Sequence, residues 1–229
     1  MKEHRKDIPK DFLKAIHIAE KVFHHLSDFV RPGITEKELA KKIRKAIKFY
    51  GGKKESFRII IASGKRSSMI HGFATDKVIR SGEIIMFDFG ALYNGYRSDL
   101  TRTYVLAEPT KQQKKVHDIL LKAQDAAYKK IKAGVRCCDV DGAARDLITK
   151  AGYGKYFRHS LGHGIRFKTH ESPRINARNR RKLKEGDIIT IEPGIYLNNW
   201  GGMRVEDMVM VKKNGYRLLT NVPRNLKLT

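Results

Sequence analysis

Two acidic residues, Asp88 and Asp99, lie eleven positions apart on either side of the dipeptide Asn94-Gly95. Asn-Gly between β-rich segments is typical of a two-residue hairpin turn with positive φ at both central positions. A hairpin centred on this dipeptide places Asp88 opposite Thr101, and Asp99 lies two residues further along on the same face. The two carboxylates are then diagonal neighbours across the strands, close enough to share a bimetal centre.

Acids beside apolar strand residues are costly to bury unless positive charge compensates them. For the hairpin alone, a bound cation and an ion pair with Arg97 or Arg102 are equally good explanations. The second half of the chain favours the cation, because it adds His163 between two glycines, Glu192 before Pro-Gly, and Glu206. Carboxylates with one imidazole form the oxygen-rich ligand set that suits Mn²⁺, Co²⁺, Fe²⁺ or Zn²⁺. We therefore predict a metal centre that combines four acids with one histidine.

A weak internal repeat indicates how these residues are positioned. Residues 32–39 resemble residues 133–140, and residues 80–90 resemble residues 184–194. The first pair of segments opens a helix in each half, and the second pair reads as a turn followed by a strand that ends on a carboxylate. Two pairs of helices that each lead into such a strand predict an α+β domain with pseudo-twofold symmetry, in which the equivalent carboxylates meet between the halves.

Helical periodicity and end signals define the predicted helices. Thr35 and Glu38 form a capping box before apolar residues at helical spacing. A second helix is predicted over about residues 110–132, and a third ends before Gly152. Three histidines in helical stretches are predicted to be surface or interface residues: His24, His25 and His117.

Composition sets the broad class of protein. With 229 residues and 41% hydrophobic content, the chain is expected to fold as one domain over residues 1–229. It has no apolar run long enough for a membrane span and no secretory signal at its start. Its cysteines, Cys137 and Cys138, are sequence neighbours and a poor disulfide pair, which favours the cytoplasm.

The formal net charge of +24 is the most unusual feature of the composition. It is compatible with a polyanion partner such as nucleic acid, a ribosome or an anionic surface, and also with solvated lysine-rich faces. Basic residues cluster at residues 41–48 and 174–184 but are not interleaved in sequence with aromatic residues, as a stacking platform requires. The sequence therefore favours solvated faces over a nucleic-acid partner.

The combined motifs resemble the catalytic domain of the pita-bread metallopeptidases, the family of methionine aminopeptidase, aminopeptidase P and prolidase. They comprise the two aspartates in a G-Y-x-x-D-x-T-R-T context, then G-H-G, E-P-G and a final R-x-E-D. The resemblance implies helices packed on a curved antiparallel sheet and a peptide substrate. It implies two divalent ions, with Mn²⁺ or Co²⁺ preferred over Zn²⁺ or Fe²⁺, and a monomer or homodimer.

The resemblance also implies a role for each ligand. Asp88 would chelate one ion, His163 and Glu192 the other, and Asp99 and Glu206 would bridge them. A metal-bridging hydroxide would attack the scissile carbonyl. Glu192 would shuttle the proton to the leaving amine.

Further residues match positions that face the substrate in this family. His71 and His170 would contact the reacting groups, and His159 would line the pocket. Arg204 would face the same pocket and support the last ligand, Glu206.

Two sequence motifs resemble the aminopeptidase P and prolidase branch: Glu192-Pro-Gly-Ile-Tyr196 and residues 204–207. Cleavage before proline is therefore the leading expectation. Methionine aminopeptidase-like trimming and a non-catalytic scaffold that binds nucleic acid or ribosomes are the alternatives. Relatives in the leading branch carry an additional N-terminal domain, which this chain is expected to lack. Arg166 replaces a glycine usual in relatives. With Lys168 it either favours peptides with acidic groups or a free carboxylate, or it reflects simple drift near the rim of the pocket.

Overall fold

The computed structural model of the protein describes residues 8–228. Within that part of the chain, helices and antiparallel strands alternate in two similar halves. The four α-helices are α1 (Lys10–His24), α2 (Glu36–Phe49), α3 (Lys111–Lys130) and α4 (Cys137–Lys150). Short 3₁₀ turns lie at Leu26–Asp28, Gly64–Ser68 and Gly154–Tyr156. No helix in the described part is long and apolar enough to cross a membrane.

The strands form four sheets within the described residues. In the first half they are β1 (Lys54–Glu55), β2 (Ile60–Ser63), β3 (Ile84–Asp88), β4 (Ala91–Tyr93), β5 (Tyr96–Arg97) and β6 (Thr101–Val105). In the second half they are β7 (Gly162–Gly164), β8 (Glu171–Ile175), β9 (Ile188–Ile191), β10 (Gly194–Leu197), β11 (Gly201–Arg204), β12 (Asp207–Lys212) and β13 (Gly215–Leu218). The sheet orders are β2-β3-β6, β1-β4-β5, β10-β11 and β13-β12-β9-β7-β8, with antiparallel pairing throughout.

Local sequence explains where the helices begin. The hydroxyl of Thr35 accepts a hydrogen bond from the backbone amide of Glu38, and the Glu38 carboxylate accepts one from the backbone amide of Thr35, so the predicted capping box is confirmed. Thr110 and Gln113 form a second capping box, and α3 follows over the predicted range. Gly152, with φ of +87°, lies just after the end of α4 as predicted.

The predicted repeat is visible in the backbone hydrogen bonds. The amide of Gly33 donates to the carbonyl of Ile79 at 3.0 Å, and the amide of Gly134 donates to the carbonyl of Leu183 at 2.9 Å. In each half, this bond joins the turn before the second helix to the segment that leads into the ligand-bearing strand, β3 or β9. The α+β fold with pseudo-twofold halves therefore follows from matching local turns.

Each half has its own apolar core. In the first half, α1 and α2 pack on β2 and β3 through residues such as Ile43 and Phe87. In the second half, α3 and α4 pack on β9 and β12 through residues such as Leu120 and Ile189. Each fully buried side chain of this size contributes about 1.5–3 kcal/mol relative to exposure. The helices therefore support β2 and β3 in the first half, and β9 and β12 in the second half, from one side.

Candidate metal centre

The hairpin in the first half places its two aspartates as predicted. Asp88, the last residue of β3, pairs with Thr101 of β6, and Asp99 precedes Thr101 by two residues. The turn residues Asn94 and Gly95 have φ of +44° and +86°. Both carboxylates are buried and line one cavity.

The second half contributes three ligands, one on a strand and two in the connections that follow strands. His163 is on β7, Glu192 follows β9, and Glu206 lies between β11 and β12. Strands β7 and β9 approach closely here: a Cβ on Gly162 would lie 1.9 Å from the backbone oxygen of Thr190. Only glycine allows this contact, which fixes the position of His163 beside Glu192.

The predicted ligands converge at the boundary between the halves. Asp99, His163 and Glu206 offer atoms that lie within 4.8 Å of one another. Nε2 of His163 is 3.7 Å from Oδ2 of Asp99 and 3.4 Å from Oε1 of Glu192. Asp88 lines the same cavity. The five side chains form one cluster.

The charges in this cluster are unbalanced. Burial, followed by repulsion from neighbouring carboxylates, raises the pKa of Asp99 and of Glu206 well above the ordinary range. Burial raises the pKa of Glu192 to about 8, although nearby Arg204 opposes the effect. Oδ1 of Asp88 is buried and has no hydrogen-bond partner in the described part of the protein.

A divalent cation fits these observations. It would offset the repulsion among the acids and give the orphaned Asp88 oxygen a partner. Burial lowers the pKa of His163 to about 4, so its imidazole is neutral at pH 7, the form that binds metals. The donor set thus matches the predicted oxygen-rich metal centre.

Arg204 directly contacts a ligand other than Glu206, the one it was predicted to support. Its Nη2 donates to Oδ2 of Asp88 at 2.5 Å, and its Nη1 donates to the hydroxyl of Tyr196 at 2.7 Å. Glu206, the predicted partner, instead accepts a hydrogen bond from the hydroxyl of Thr101 at 2.7 Å. Nε of Arg204 donates to the same Thr101 hydroxyl at 3.2 Å, so Arg204 contacts Asp88 directly and is linked to Glu206 through Thr101.

Three further histidines surround the cluster. His71 and His170 are exposed and line the cavity, and the rings of His170 and His163 lie 4.4 Å apart. Partial desolvation of the His170 ring within the cavity lowers its pKa, which favours a neutral ring. Nε2 of His159 lies 2.9 Å from the hydroxyl of Tyr196, and its Nδ1 lies 2.8 Å from a backbone carbonyl. His71 and His170 are therefore free to meet a ligand, whereas both nitrogens of His159 have protein partners.

The cavity has a volume of about 480 Å³ and is part apolar, part cationic. Arg58 and Arg174 line it, but Arg166 is not among its lining residues. The Arg166 guanidinium lies 5.2 Å from the ring centre of Phe167, on the exposed surface. The apolar wall consists of Phe57, Ile60, Ile70 and Phe73.

A buried ion pair behind the ligands escaped the sequence analysis. Arg102 donates to the carboxylate of Asp207 at 2.7 Å and to the backbone oxygen of Glu206 at 2.5 Å. Asp207 also accepts hydrogen bonds from Thr220 and Gln124. The available signal in the sequence was the position of Arg102 and Asp207, each close to a predicted ligand. This network fixes the backbone that carries Glu206.

A second buried carboxylate organises the loop that carries His71. Glu36 is fully buried and accepts hydrogen bonds from the backbone and hydroxyl groups of Ser63 and Thr75 and from Nε of Arg66. These partners lie before and after His71 in the chain. No sequence motif marked Glu36, because its role depends on contacts that span up to 39 residues.

The fold and the acid-rich centre define a metallopeptidase of the pita-bread class. The sequence matches metallopeptidase family M24 over residues 10–213, so the chain belongs to that family. It is 43% identical over 213 residues to a protein named Xaa-Pro dipeptidase of Pyrococcus horikoshii, covering 93% of this chain and 61% of the relative.

Solved structures agree with this assignment. The structure described as an Xaa-Pro dipeptidase from Bacillus anthracis superposes with a TM-score of 0.94 at 41% identity, over 96% of this chain and 62% of that one. The X-Pro aminopeptidase from Thermotoga maritima gives a TM-score of 0.93 at 42% identity with the same coverage. The chain thus spans about three fifths of the length of these relatives.

Proposed function

We propose that the protein is a metal-dependent aminopeptidase that cleaves the bond before proline in short peptides. The observation that carries this proposal is the convergence of four acids and one histidine, the five predicted ligands, around one open cavity. The names of the similar proteins support Xaa-Pro substrates. A non-catalytic scaffold is disfavoured because a retained but unused acid cluster would be costly to bury.

Asp88, Asp99, His163, Glu192 and Glu206 would hold two divalent ions, with Mn²⁺ or Co²⁺ proposed from the carboxylate-rich donor set. Ions bound there would supply Lewis acidity that polarises a peptide carbonyl and activates water. Glu192 is suited to receive a proton at its carboxylate and pass it to the leaving nitrogen.

The remaining cavity residues would bind and orient the peptide. The exposed imidazoles of His71 and His170 can donate hydrogen bonds to the reacting amide, and neutral His170 can also accept one. The apolar wall next to Phe57 and Phe73 suits a pyrrolidine ring and excludes water from it. The free cysteines support a reducing compartment, so we place the protein in the cytoplasm.

The test is a comparison of substrates and metals. Purified protein is freed of metal, reloaded with Mn²⁺, Co²⁺ or Zn²⁺, and assayed on an Xaa-Pro dipeptide, an Xaa-Pro tripeptide and a Met-Ala peptide. We expect metal-dependent release of the first residue from the proline peptides. Cleavage of the Met-Ala peptide alone would establish methionine trimming instead, and no cleavage of any substrate would refute the proposal.

A matched pair of variants ties activity to the centre. His163→Ala removes a buried ligand, whereas His17→Ala changes an exposed histidine on α1. We expect the first change to abolish both cleavage and stoichiometric Mn²⁺ binding, measured by calorimetry. The second should leave both at the wild-type level.

A further inference from the structure

The exposed side of α2 carries a basic groove that the proposed peptidase function does not use. Arg31, Lys41, Lys42 and Lys45 line a depression of about 370 Å³. Its acid, Glu38, is engaged in the capping box at the start of the helix. Within the described part of the chain, none of the four cations forms an ion pair. The groove thus holds four cations against one acid, Glu38, and carries a net positive charge.

A second groove adjoins the first and adds aromatic surface. It has a volume of about 340 Å³ and shares Lys42 and Lys45 with the basic groove. Phe49 lines it and is 82% exposed, the largest exposure among the exposed large hydrophobic side chains of the described residues. The ring of Phe49 meets that of Tyr50 edge-on, with centres 5.2 Å apart. The acid in this groove, Asp28, is paired with a histidine.

The helix holds the cations and the ring in a fixed relation. Lys42, Lys45 and Phe49 follow the spacing i, i+3, i+7, so they lie along one stripe of α2. The opposite side of α2 is buried against β2 through residues such as Leu39 and Ile43. The stripe is therefore a rigid surface on which two lysines are followed by an exposed aromatic ring. We call Arg31, Lys41, Lys42, Lys45 and Phe49 the α2 face.

We propose that the α2 face binds single-stranded nucleic acid, with phosphates on its lysines and arginine and a base stacked on Phe49. Cationic grooves that follow a backbone, with aromatic rings for successive bases, are the common physical basis of single-strand binding. An acidic peptide would satisfy the cations but leaves the ring without a planar partner. A duplex keeps its bases stacked on one another and cannot use Phe49.

The net charge of +24 supports the same partner, because it favours association with any polyanion and the α2 face adds a defined site. The α2 face shares no lining residue with the cavity of the metal centre. Nucleic acid and peptide could therefore bind at the same time.

Binding is tested by fluorescence anisotropy with a 5′-labelled 12-nucleotide oligouridine over a range of NaCl concentrations. Lys42→Gln with Lys45→Gln removes two phosphate contacts, so the slope of log Kd against log salt should fall by about 1.4, from about 0.7 per contact. Lys129→Gln with Lys130→Gln makes the same change in net charge on the exposed end of α3 and should leave the slope unchanged.

The stacking contact is tested separately. Phe49→Ala should weaken binding by roughly 5- to 100-fold. Phe49→Leu, which keeps an apolar side chain but no planar ring, should also weaken it. Thermal melts of all variants show that each is folded.

Three results would overturn the proposal. The first is an equal effect of the α2 and α3 lysine pairs, which would indicate diffuse electrostatic attraction. The second is unchanged binding in Phe49→Leu together with equal competition by polyglutamate, which would indicate an acidic protein partner. The third is tighter binding of the matching duplex than of the single strand.

Discussion

Replacing Arg204 with methionine provides a direct test of the electrostatics of the centre. The side chain is 2% exposed, and its guanidinium contacts one oxygen of Asp88 at 2.5 Å. Methionine keeps much of the length of the arginine side chain but removes the positive charge of the guanidinium from among the carboxylates. Breaking a buried ion pair costs about 3–5 kcal/mol. For a chain of this size, that is a fall in Tm of roughly 6–20 °C for the metal-free protein.

Metal should restore much of this loss. In the Arg204→Met variant both oxygens of Asp88 are available to a cation, and the cation replaces the missing positive charge. The rise in Tm on adding Mn²⁺ should therefore exceed the wild-type rise by roughly 5 °C, which corresponds to about 1–3 kcal/mol. Wild-type protein gains less because Arg204 already neutralises part of the cluster.

The assay is thermal unfolding followed by circular dichroism at pH 8, with EDTA or with Mn²⁺. Arg145→Met is the matched control, because it breaks the ion pair with buried Asp141, which lies outside the ligand set. That variant should lose stability but keep the wild-type response to Mn²⁺. An identical Mn²⁺ response in Arg204→Met would refute the reasoning.

Three further changes have defined outcomes. Burial lowers the pKa of His117 to about 4, so the folded protein binds fewer protons than the unfolded chain between pH 4 and 6.5. Its contribution to stability is lost as the pH falls through this range, by about 3 kcal/mol, and urea titrations of His117→Gln should lack that component. Gly162→Ala pushes a Cβ against the backbone of Thr190 and should cost about 1–3 kcal/mol or more and weaken Mn²⁺ binding, measured by denaturation and calorimetry. Glu36→Gln should lower stability by about 1–3 kcal/mol and also lower kcat, because the loop with His71 loses its anchor.

Each of these outcomes has its own control. The pH component should persist in His17→Gln, an exposed histidine. Gly142→Ala, in a helix with open space around the new Cβ, should not destabilise the protein. In a His71→Ala background, Glu36→Gln should still lower stability but cause no further loss of activity, and an additive loss would contradict a positioning role for Glu36.

The parts of the molecule governed by short-range rules could be predicted from the sequence. The Asn94-Gly95 turn fixed the register between Asp88 and Thr101, and the capping box at Thr35 fixed the start of α2. In both cases, residues within a few positions of one another decide the geometry. The same local rules, applied twice, predicted the two similar halves.

Features that depend on how distant segments pack could not be predicted. Arg204 reaches Asp88 across 116 positions, and no local pattern predicted this direct contact. His117 was predicted to be a surface or interface residue, yet it is buried, because it lies on the inward side of α3. Arg166 was expected to influence the pocket, whereas Arg58, next to Phe57 and without any motif, lines the cavity. Side-chain direction at these positions follows from tertiary packing, which no local pattern encodes.

The division of the ligands between the halves has a consequence for folding cooperativity. Asp88 and Asp99 come from one half, and His163, Glu192 and Glu206 come from the other. Neither half alone carries enough donors to retain ions tightly, so opening of either one releases them. Bound metal would then act as a non-covalent cross-link, and it should slow hydrogen exchange in the cores of both halves by the same factor.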